Sequence, residues 1–390
     1  MALTQSDSAE AENAPYFPFS VPSSRFDQRN EMFKRRTWDE EFMLYADQFY
    51  TQVHYQDKYG FRKLDYALRN ASWNIEYGYA CGCQRSDHGM YSWTHVPDKV
   101  KRFIAAEGPV TLTPEENTRA VKKAARFLGA DLVGVCNVHP NLIYSHELNL
   151  MDNEHRPVSL PEGCRYAITM AVEMDYASSR YSPDAISGAS TGLGYSRQAV
   201  VANQVAAFIR GLGFQAVPSG NDTALSIPLA LAAGLGEIGR NGLLITEEYG
   251  PRVRICKVFT DLPLLHDDYQ PFGVTEFCRT CKKCADMCPS QAISQGEPTK
   301  EGPSSSNHSG ITKWYVHPEK CYSFWIKNWM DCNNCVSVCP FNKPRGYLHD
   351  SARFIIKKTP VFNRFILRLD DFFGYGKPMS SQNKNFWEVP

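Results

Sequence analysis

The chain has 390 residues, of which 43% are hydrophobic and 22% charged, a composition that suits a globular protein with ample core and room for two or three domains. Its 42 basic and 42 acidic side chains cancel, so no global field steers it toward nucleic acid. It has no run of about eighteen apolar residues, so no segment reads as a membrane span.

At the start of the chain, Met1 to Ser20 is polar and acidic and lacks the apolar stretch of a signal peptide. Arg35-Arg36 is followed by Thr37-Trp38-Asp39-Glu40, where a twin-arginine export signal needs apolar residues. Residues 1–112 are rich in aromatics with no clean period, and are expected to form an irregular covering segment packed on a larger body. Cys81 and Cys83 read as loop thiols, with metal ligation or a strained bridge as the alternatives.

Regular structure is expected from Thr113, where an N-cap threonine, Pro114 and the acidic pair Glu115-Glu116 open a helix that Gly129 ends. Asp131 to Cys136 and Tyr166 to Val172 read as buried strands, and Ser196 to Leu212 as a helix closed by Gly213. Ile227 to Ala233 reads as a helix, and Leu243 to Thr246 and Val253 to Phe259 as further strands. Strands alternating with helices point to an α/β layer structure. Cys136 and Cys256 fall in apolar strands, where a thiol acts as a small hydrophobe. Gly192-Leu193-Gly194 and Gly234-Leu235-Gly236 are incomplete as dinucleotide fingerprints. Haem-attachment and Asp-x-His-x-x-Gly corrinoid motifs are absent.

The strongest local signal comes next. Cys278, Cys281, Cys284 and Cys288-Pro289 follow the two-cluster ferredoxin spacing, and Cys332, Cys335 and Cys339-Pro340 repeat it with Cys321 in place of the missing member. In such paired runs the fourth cysteine ligates the other cluster. The expected ligand sets are therefore Cys278, Cys281, Cys284 and Cys339 for one [4Fe-4S] cluster, and Cys288, Cys321, Cys332 and Cys335 for the second. Zinc sites would not require the Cys-Pro endings, and disulfide frameworks belong to small secreted domains. Residues 296–310 read as a loop between the two runs. From Tyr347 the spacing of Phe354, Ile355, Val361, Phe365, Ile366 and Leu369 predicts helix packed back on the body.

The stretches GYSRQAVVANQVAAFIRGLGF, GNDTALSIPLALAAGLGEIGRNGLLIT and EYGPRVRICKVFTDL lead directly into FGVTEFCRTCKKCADMCPSQAIS. In this order they resemble the catalytic subunit of respiratory reductive dehalogenases, over roughly residues 113–345. The related epoxyqueuosine reductases share the clusters and the AGLG-type segment. They provide the alternative reading of a transfer-RNA-modifying enzyme; a non-catalytic two-cluster carrier is another.

The resemblance implies an α+β sandwich: a nitroreductase-like core that binds base-off cobalamin, beside a bacterial ferredoxin-like domain with two [4Fe-4S] clusters. The expected units are residues 1–112 as cover, 113–270 as core, 271–346 as cluster domain and 347–390 as a C-terminal segment on the core. Carried over by motif, the proton-donor tyrosine falls on Tyr195, its asparagine partner on Asn221 and the arginine on Arg254. Thr191 and Trp329 fall on pocket-lining positions, and Tyr195 and Asn221 on positions that meet the cobalamin. A phenol of ordinary pKa, about 10, is protonated at neutral pH and so can act as an acid. A permanently charged guanidinium beside it steadies the charge left behind. The implied reaction replaces halogen by hydrogen in small chlorinated alkanes or alkenes. The implied partners are an external low-potential electron donor, a small membrane-anchor protein and a second copy of the chain, with no nucleic acid. The implied location is the extracytoplasmic face of the membrane after twin-arginine export, with the export signal missing from this chain.

Overall fold

The structure, a computed structural model, describes residues 19–51, 54–80, 88–150, 152–377 and 386–388; Cys81 and Cys83 lie outside the described residues. The segment before Thr113, expected to be irregular, carries three helices of ten residues or more joined by irregular stretches. It contains α1 (Glu40–Thr51), α2 (Lys63–Tyr79) and α3 (Asp98–Glu107). Tyr66, Trp73 and Tyr77 recur in α2 at helical spacing, but the intervening Asn70, Ser72, Asn74 and Glu76 dilute the apolar stripe that sequence periodicity depends on.

Next comes α4 (Pro114–Phe127), which opens as expected. Thr113 Oγ1 accepts from the Glu116 N–H at 3.3 Å while the Glu116 carboxylate accepts from the Thr113 N–H at 3.0 Å. The strands β1 (Leu132–Asn137), β2 (His146–Leu148), β3 (His155–Pro157) and β4 (Tyr166–Glu173) follow. The chain continues through α5 (Ala185–Gly211), β5 (Ala216–Ser219), α6 (Ser226–Ala232), β6 (Glu237–Ile238), β7 (Leu244–Ile245) and β8 (Val253–Thr260). It ends with α7 (Val274–Thr280), α8 (Pro318–Asn328), α9 (Tyr347–Lys358) and α10 (Asn363–Phe372).

The central sheet runs β1-β4-β8-β5, with every neighbouring pair antiparallel. Both faces are covered. Ile168, Met170 and Val172 of β4 pack with residues of α4 and α5, while Ala167 and Ala171 meet the layer that contains Leu229 and Ala230 of α6. This is the expected mixed sandwich of helix and sheet. Cys136 and Cys256 are buried within it, as expected for small hydrophobes.

The helix expected from Ser196 begins at Ala185, where the Asp184 carboxylate accepts from the N–H groups of Ile186 (3.0 Å) and Ser187 (3.2 Å). The added turns read AISGASTGLG, a composition that suggests loop. The glycines are there because neighbouring side chains press on the helix. A Cβ on Gly192 would lie 2.2 Å from Trp73 Cδ1, and one on Gly194 would lie 2.8 Å from Arg254 Cγ.

Two buried arginines fasten the cysteine-rich unit to this core. Arg252, 1% exposed, donates to Asn342 Oδ1 at 2.8 Å and to the Met174 carbonyl at 2.6 Å, and also pairs with Glu173. Arg240, also 1% exposed, donates to the carbonyls of Cys278 (2.9 Å), Cys281 (3.2 Å), Ser294 (2.8 Å) and Gly296 (2.9 Å). With the donors paired in this way, the buried charges are solvated by the fold itself.

The C-terminal helices dock on the cysteine-rich unit rather than on the sheet: Ile356 and Ile366 pack with Phe272, Phe277 and Phe341. Phe354, Val361 and Phe365, expected on the packed side, are exposed. Trp387 returns to the core side, donating from Nε1 to Asp65 at 2.8 Å. Among the described residues, no helix is long and apolar enough to cross a membrane.

Replacing a mid-helix glycine by alanine ordinarily stabilises by about 0.5–1 kcal/mol. At Gly192 the Trp73 ring reverses that sign, and Gly192→Ala should destabilise by about 1–3 kcal/mol. Gly211→Ala adds a methyl to open space and is the control. Anaerobic thermal melts should show a lowered midpoint for the first variant and an unchanged or raised one for the second.

Candidate active site and cluster ligands

Ser187, Thr191 and Tyr195 are spaced four residues apart on α5 and therefore share one face of the helix. Arg254, from β8, lies beneath that face, with its guanidinium carbon 4.9 Å from the Tyr195 ring centroid. Asn221 approaches from the loop after β5, and its Nδ2 donates to the Tyr195 hydroxyl oxygen at 3.0 Å. That bond fills an oxygen lone pair and leaves the phenolic hydrogen free for another acceptor.

Thr191 is buried, and its hydroxyl is a junction. Oγ1 accepts from Arg254 Nη2 at 3.3 Å and from Asn333 Nδ2 at 2.7 Å, and donates to the Ser187 carbonyl at 3.4 Å. Asn333 follows Cys332 and also donates to Ser187 Oγ at 3.0 Å. The arginine beside the phenol is thus tied to the cysteine-rich unit through one side chain. Arg254 Nε is buried and has no hydrogen-bond partner, whereas Asn221 is exposed. An unpaired buried donor beside an open amide fits a site that receives a polar occupant.

The structure brings Tyr195, Asn221, Arg254 and Thr191 together. Trp329 stands apart from their hydrogen bonds, in left-handed conformation at φ 56° just after α8, with its ring centroid 3.4 Å from that of His54. Tyr66 donates to its carbonyl at 3.4 Å. A groove of about 750 Å³ along α9, lined by Tyr347, Asp350, Phe354 and Ile355 among others, includes none of these residues.

Sequence reasoning missed four residues around the site, Trp73, Tyr77, Asn333 and Glu76. Trp73 stacks on Tyr195 with centroids 5.2 Å apart at 23°, and Tyr77 stacks on Trp73 in turn. Asn333 is invisible without the tertiary contact. Glu76, one turn beyond Trp73, donates its N–H to Ser196 Oγ at 3.3 Å. Burial, reinforced by Asp222, pushes the Glu76 carboxyl up to about 8, so it is a neutral acid near neutrality. Helical spacing of Trp73 with Glu76 and Tyr77 was the available signal for the first and last.

Under the Asn221 loop lies Lys257, fully buried on β8. It donates to the Gly220 carbonyl and, at 2.9 Å, to Ser226 Oγ. Burial lowers its amine to about 7 against the pull of Asp222.

The eight cysteines of the two runs lie in mutual reach. Burial raises every thiol affected, and the charges that add to it name the neighbours. Cys339 feels Cys278 and Cys281, and Cys284 feels Cys339, Cys278, Cys335 and Cys281. Cys335 feels Cys332, Cys321, Cys288 and Cys339, and Cys321 feels Cys332 and Cys288. Burial, joined by these neighbours, pushes Cys281 and Cys321 up to about 12. Converging soft donors of this kind fit iron–sulfur ligation, in which iron replaces the protons. Ser182 Oγ lies 3.9 Å from Cys332 Sγ, so the second run faces the start of α5.

Residues 277–343 match the 4Fe-4S dicluster domain family, so this unit is built for two [4Fe-4S] clusters. Over 351 residues the chain is 39% identical to a tetrachloroethene reductive dehalogenase of Desulfitobacterium hafniense, spanning 77% of this chain and 63% of that one. It is 38% identical over 293 residues to the tetrachloroethene reductive dehalogenase of Sulfurospirillum multivorans, spanning 69% and 58%. A solved reductive dehalogenase, described as suggesting a mechanism for B12-dependent dehalogenation, superposes with TM-score 0.72 at 24% identity over 99% of this chain and 53% of its own. The chain therefore covers less than two thirds of these relatives' lengths.

Two outcomes are expected at this site. Thr191→Val keeps the shape but leaves Arg254 Nη2 without its acceptor and weakens the hold on Asn333, which should cost about 1–3 kcal/mol in anaerobic denaturant titrations. Lys257 has a folded-state pKa below its unfolded value, so its burial costs stability as pH falls from the free-lysine range toward about 7. Lys257→Met should flatten stability against pH between about 7 and 10, as read by melts across that window.

Proposed function

The chain is a relative of the reductive dehalogenases, and from that kinship we propose that it is a cobalamin-dependent reductive dehalogenase acting on small chlorinated alkenes or alkanes. The observation that carries the reading is the Tyr195 hydroxyl, bonded by Asn221, flanked by Arg254 and linked through Thr191 to the cluster-bearing unit.

The reaction is R–Cl + 2 e⁻ + H⁺ → R–H + Cl⁻. Tyr195 supplies the proton. Its oxygen, once deprotonated, keeps the Asn221 N–H bond and lies against the Arg254 cation, so two groups already in place stabilise the developing charge. Trp73 and Tyr77 present stacked aromatic surface beside the phenol that suits a small apolar organohalide. Cobalamin, when bound, supplies the strongly reducing cobalt that takes part in carbon–halogen cleavage, with Tyr195 and Asn221 among the residues that would hold it.

The ligand sets we assign, from the cysteine spacing, are Cys278, Cys281, Cys284 and Cys339 for cluster one, and Cys288, Cys321, Cys332 and Cys335 for cluster two; the proximity of Cys339 to Cys278 and Cys281, and of Cys321 to Cys332 and Cys288, supports this division. Cluster two, beside Ser182 and Asn333, would deliver electrons to the core, and cluster one would receive them from an external donor. Trp329 would line the substrate cavity from the cluster side. Kinship also underlies an outward-facing, membrane-peripheral location held by a small anchor protein.

The test is an anaerobic reduced-dye assay on chlorinated ethenes and ethanes, with cobalt, iron and halide measured together. Halide release by protein with stoichiometric cobalt is expected. Activity instead on an epoxyqueuosine-containing RNA fragment, or clusters that never accept cobalamin on reconstitution, would overturn the reading. Tyr195→Phe should retain cobalt and iron while turnover falls about 10²–10⁴-fold; near-wild-type turnover would remove Tyr195 from the mechanism.

A further inference from the structure

The ribbon formed by β2 and β3 pairs His146 with Pro157 and Leu148 with His155. His146 and His155 are thus diagonal neighbours on one face of a short antiparallel ladder. Their rings lie 4.8 Å apart at 30°. A third side chain reaches the same spot from the N-terminal strap: both carboxylate oxygens of Asp27 lie 3.0 Å from His155 Nε2. One ligand atom from each of Asp27, His146 and His155 lies within 4.8 Å of the others.

Asp27 and His146 are held by groups outside the trio, and His155 by its place in the ribbon. Asp27 caps a short 3₁₀ turn, accepting from the Arg29 N–H at 2.9 Å. His146 Nδ1 lies 3.2 Å from Ser145 Oγ, which orients its ring. The opposite face of the ribbon is clamped by the buried pair Arg156–Glu147 at 2.6 Å. The strap is tied down by Arg25, which donates to the carbonyls of Ile143 (3.1 Å), Tyr144 and Val158 (2.6 Å), and by the Ser145 N–H bonded to the Phe26 carbonyl at 2.8 Å. Little reorganisation is therefore needed to bring the donors onto one ion.

We propose that Asp27, His146 and His155 form a binding site for a divalent first-row metal ion, Zn²⁺ in the first instance. Two imidazoles and one carboxylate suit Zn²⁺ and its neighbours in the series, whereas Mg²⁺ and Ca²⁺ demand oxygen ligands. Three protein ligands leave a coordination position for water. The ion would replace the His155–Asp27 hydrogen bond and cross-link the strap to the ribbon.

That cross-link bears on the Asn221 loop. Gln28, next to Asp27, donates from Nε2 to Asp222 Oδ1 at 2.9 Å, and the Tyr144 hydroxyl donates to the Asn221 carbonyl at 3.4 Å. Phe26 packs on Tyr144 with ring centroids 6.2 Å apart. A metal on Asp27 thus stiffens the strap that braces the loop under Tyr195. The site is independent of the reaction proposed above.

The experiment is calorimetric titration of the full chain, clusters intact, with Zn²⁺ alone and with Mg²⁺ as comparison, iron content being checked before and after. One equivalent of Zn²⁺ should bind and raise the melting temperature, and Mg²⁺ should do neither. His146→Ala and His155→Ala should each weaken Zn²⁺ binding at least about tenfold, while His266→Ala, exposed and elsewhere, should not. Asp27→Asn keeps an N-cap and should also weaken binding, so the result does not depend on the histidine variants folding. Absence of a Zn²⁺ equivalent, or unchanged affinity in the Asp27 and His155 variants, overturns the proposal.

Discussion

The first turns of α5 have to be approached by several elements at once, and this requirement shapes the region around Tyr195. Trp73 from α2 reaches the backbone at Gly192, and Arg254 from β8 reaches it at Gly194. On another side, a Cβ at Gly188 would meet Asp331 Oδ1 at 2.8 Å and Met330 Sδ at 2.9 Å. Each contact needs a position without a side chain, and the helix loses propensity at each of them. What holds the helix is burial: from Ala185 to Gly194 nearly every residue is covered, and the Asp184 carboxylate accepts from the orphan N–H donors at its start. The stacked ring and the guanidinium reach Tyr195, and the cysteine-rich unit reaches Ser187 and Thr191 on the same face, because the helix yields space on three sides.

The contacts across that space are polar and directional, which fixes the relative placement of core and cluster unit more tightly than apolar packing would. Asn333 bridges Ser187 and Thr191, its own N–H takes the Ser182 hydroxyl as acceptor at 2.7 Å, and Asn328 donates to the Pro183 carbonyl at 2.8 Å. Arg240 and Arg252 do similar work from the sheet side, using buried guanidinium forks against backbone carbonyls and Asn342. Removing one partner from such a network leaves a buried group unpaired, so the interface tolerates few alternative arrangements.

Local chemistry made the cysteine runs legible, because cluster ligands must be close in sequence to close on one group. Three strands of the central sheet, β1, β4 and β8, and the helix at Thr113 were legible for a similar reason: their signals lie in runs of apolar residues and a capping box, whereas the short β5 (Ala216–Ser219) was not read. The start of α5 was not, since glycine and serine placed for close packing look the same in a sequence as glycine and serine placed for turns. Helix α2 was obscured because its working face is made of Trp73, Glu76 and Tyr77, with polar residues between. The C-terminal helices were legible as helices but not in their partners, because amphipathic spacing does not say which body covers the apolar side. Tyr195, Asn221 and Arg254 came from motif resemblance, and their meeting from three separate elements is a product of sheet order that no local pattern encodes.

The charges around the phenol form a consistent set. Glu76, buried and close to Asp222, is held as the neutral acid, and Lys257, buried beneath Gly220, has its charged form disfavoured. Glu76 therefore adds little local field near neutrality, and burial opposes the charge on Lys257. Asp222 keeps its own partners, Gln28 at 2.9 Å and Lys34 at 3.8 Å, on the side of the N-terminal strap. The cation next to Tyr195 is then the guanidinium of Arg254. In the proposed reaction, a phenol that gives up a proton next to an apolar substrate would benefit from one positive charge and few competing ones. The acid achieves this by staying neutral, burial works against the charge on the amine, and the strap braces the loop so that Asn221 meets the phenol oxygen from the other side.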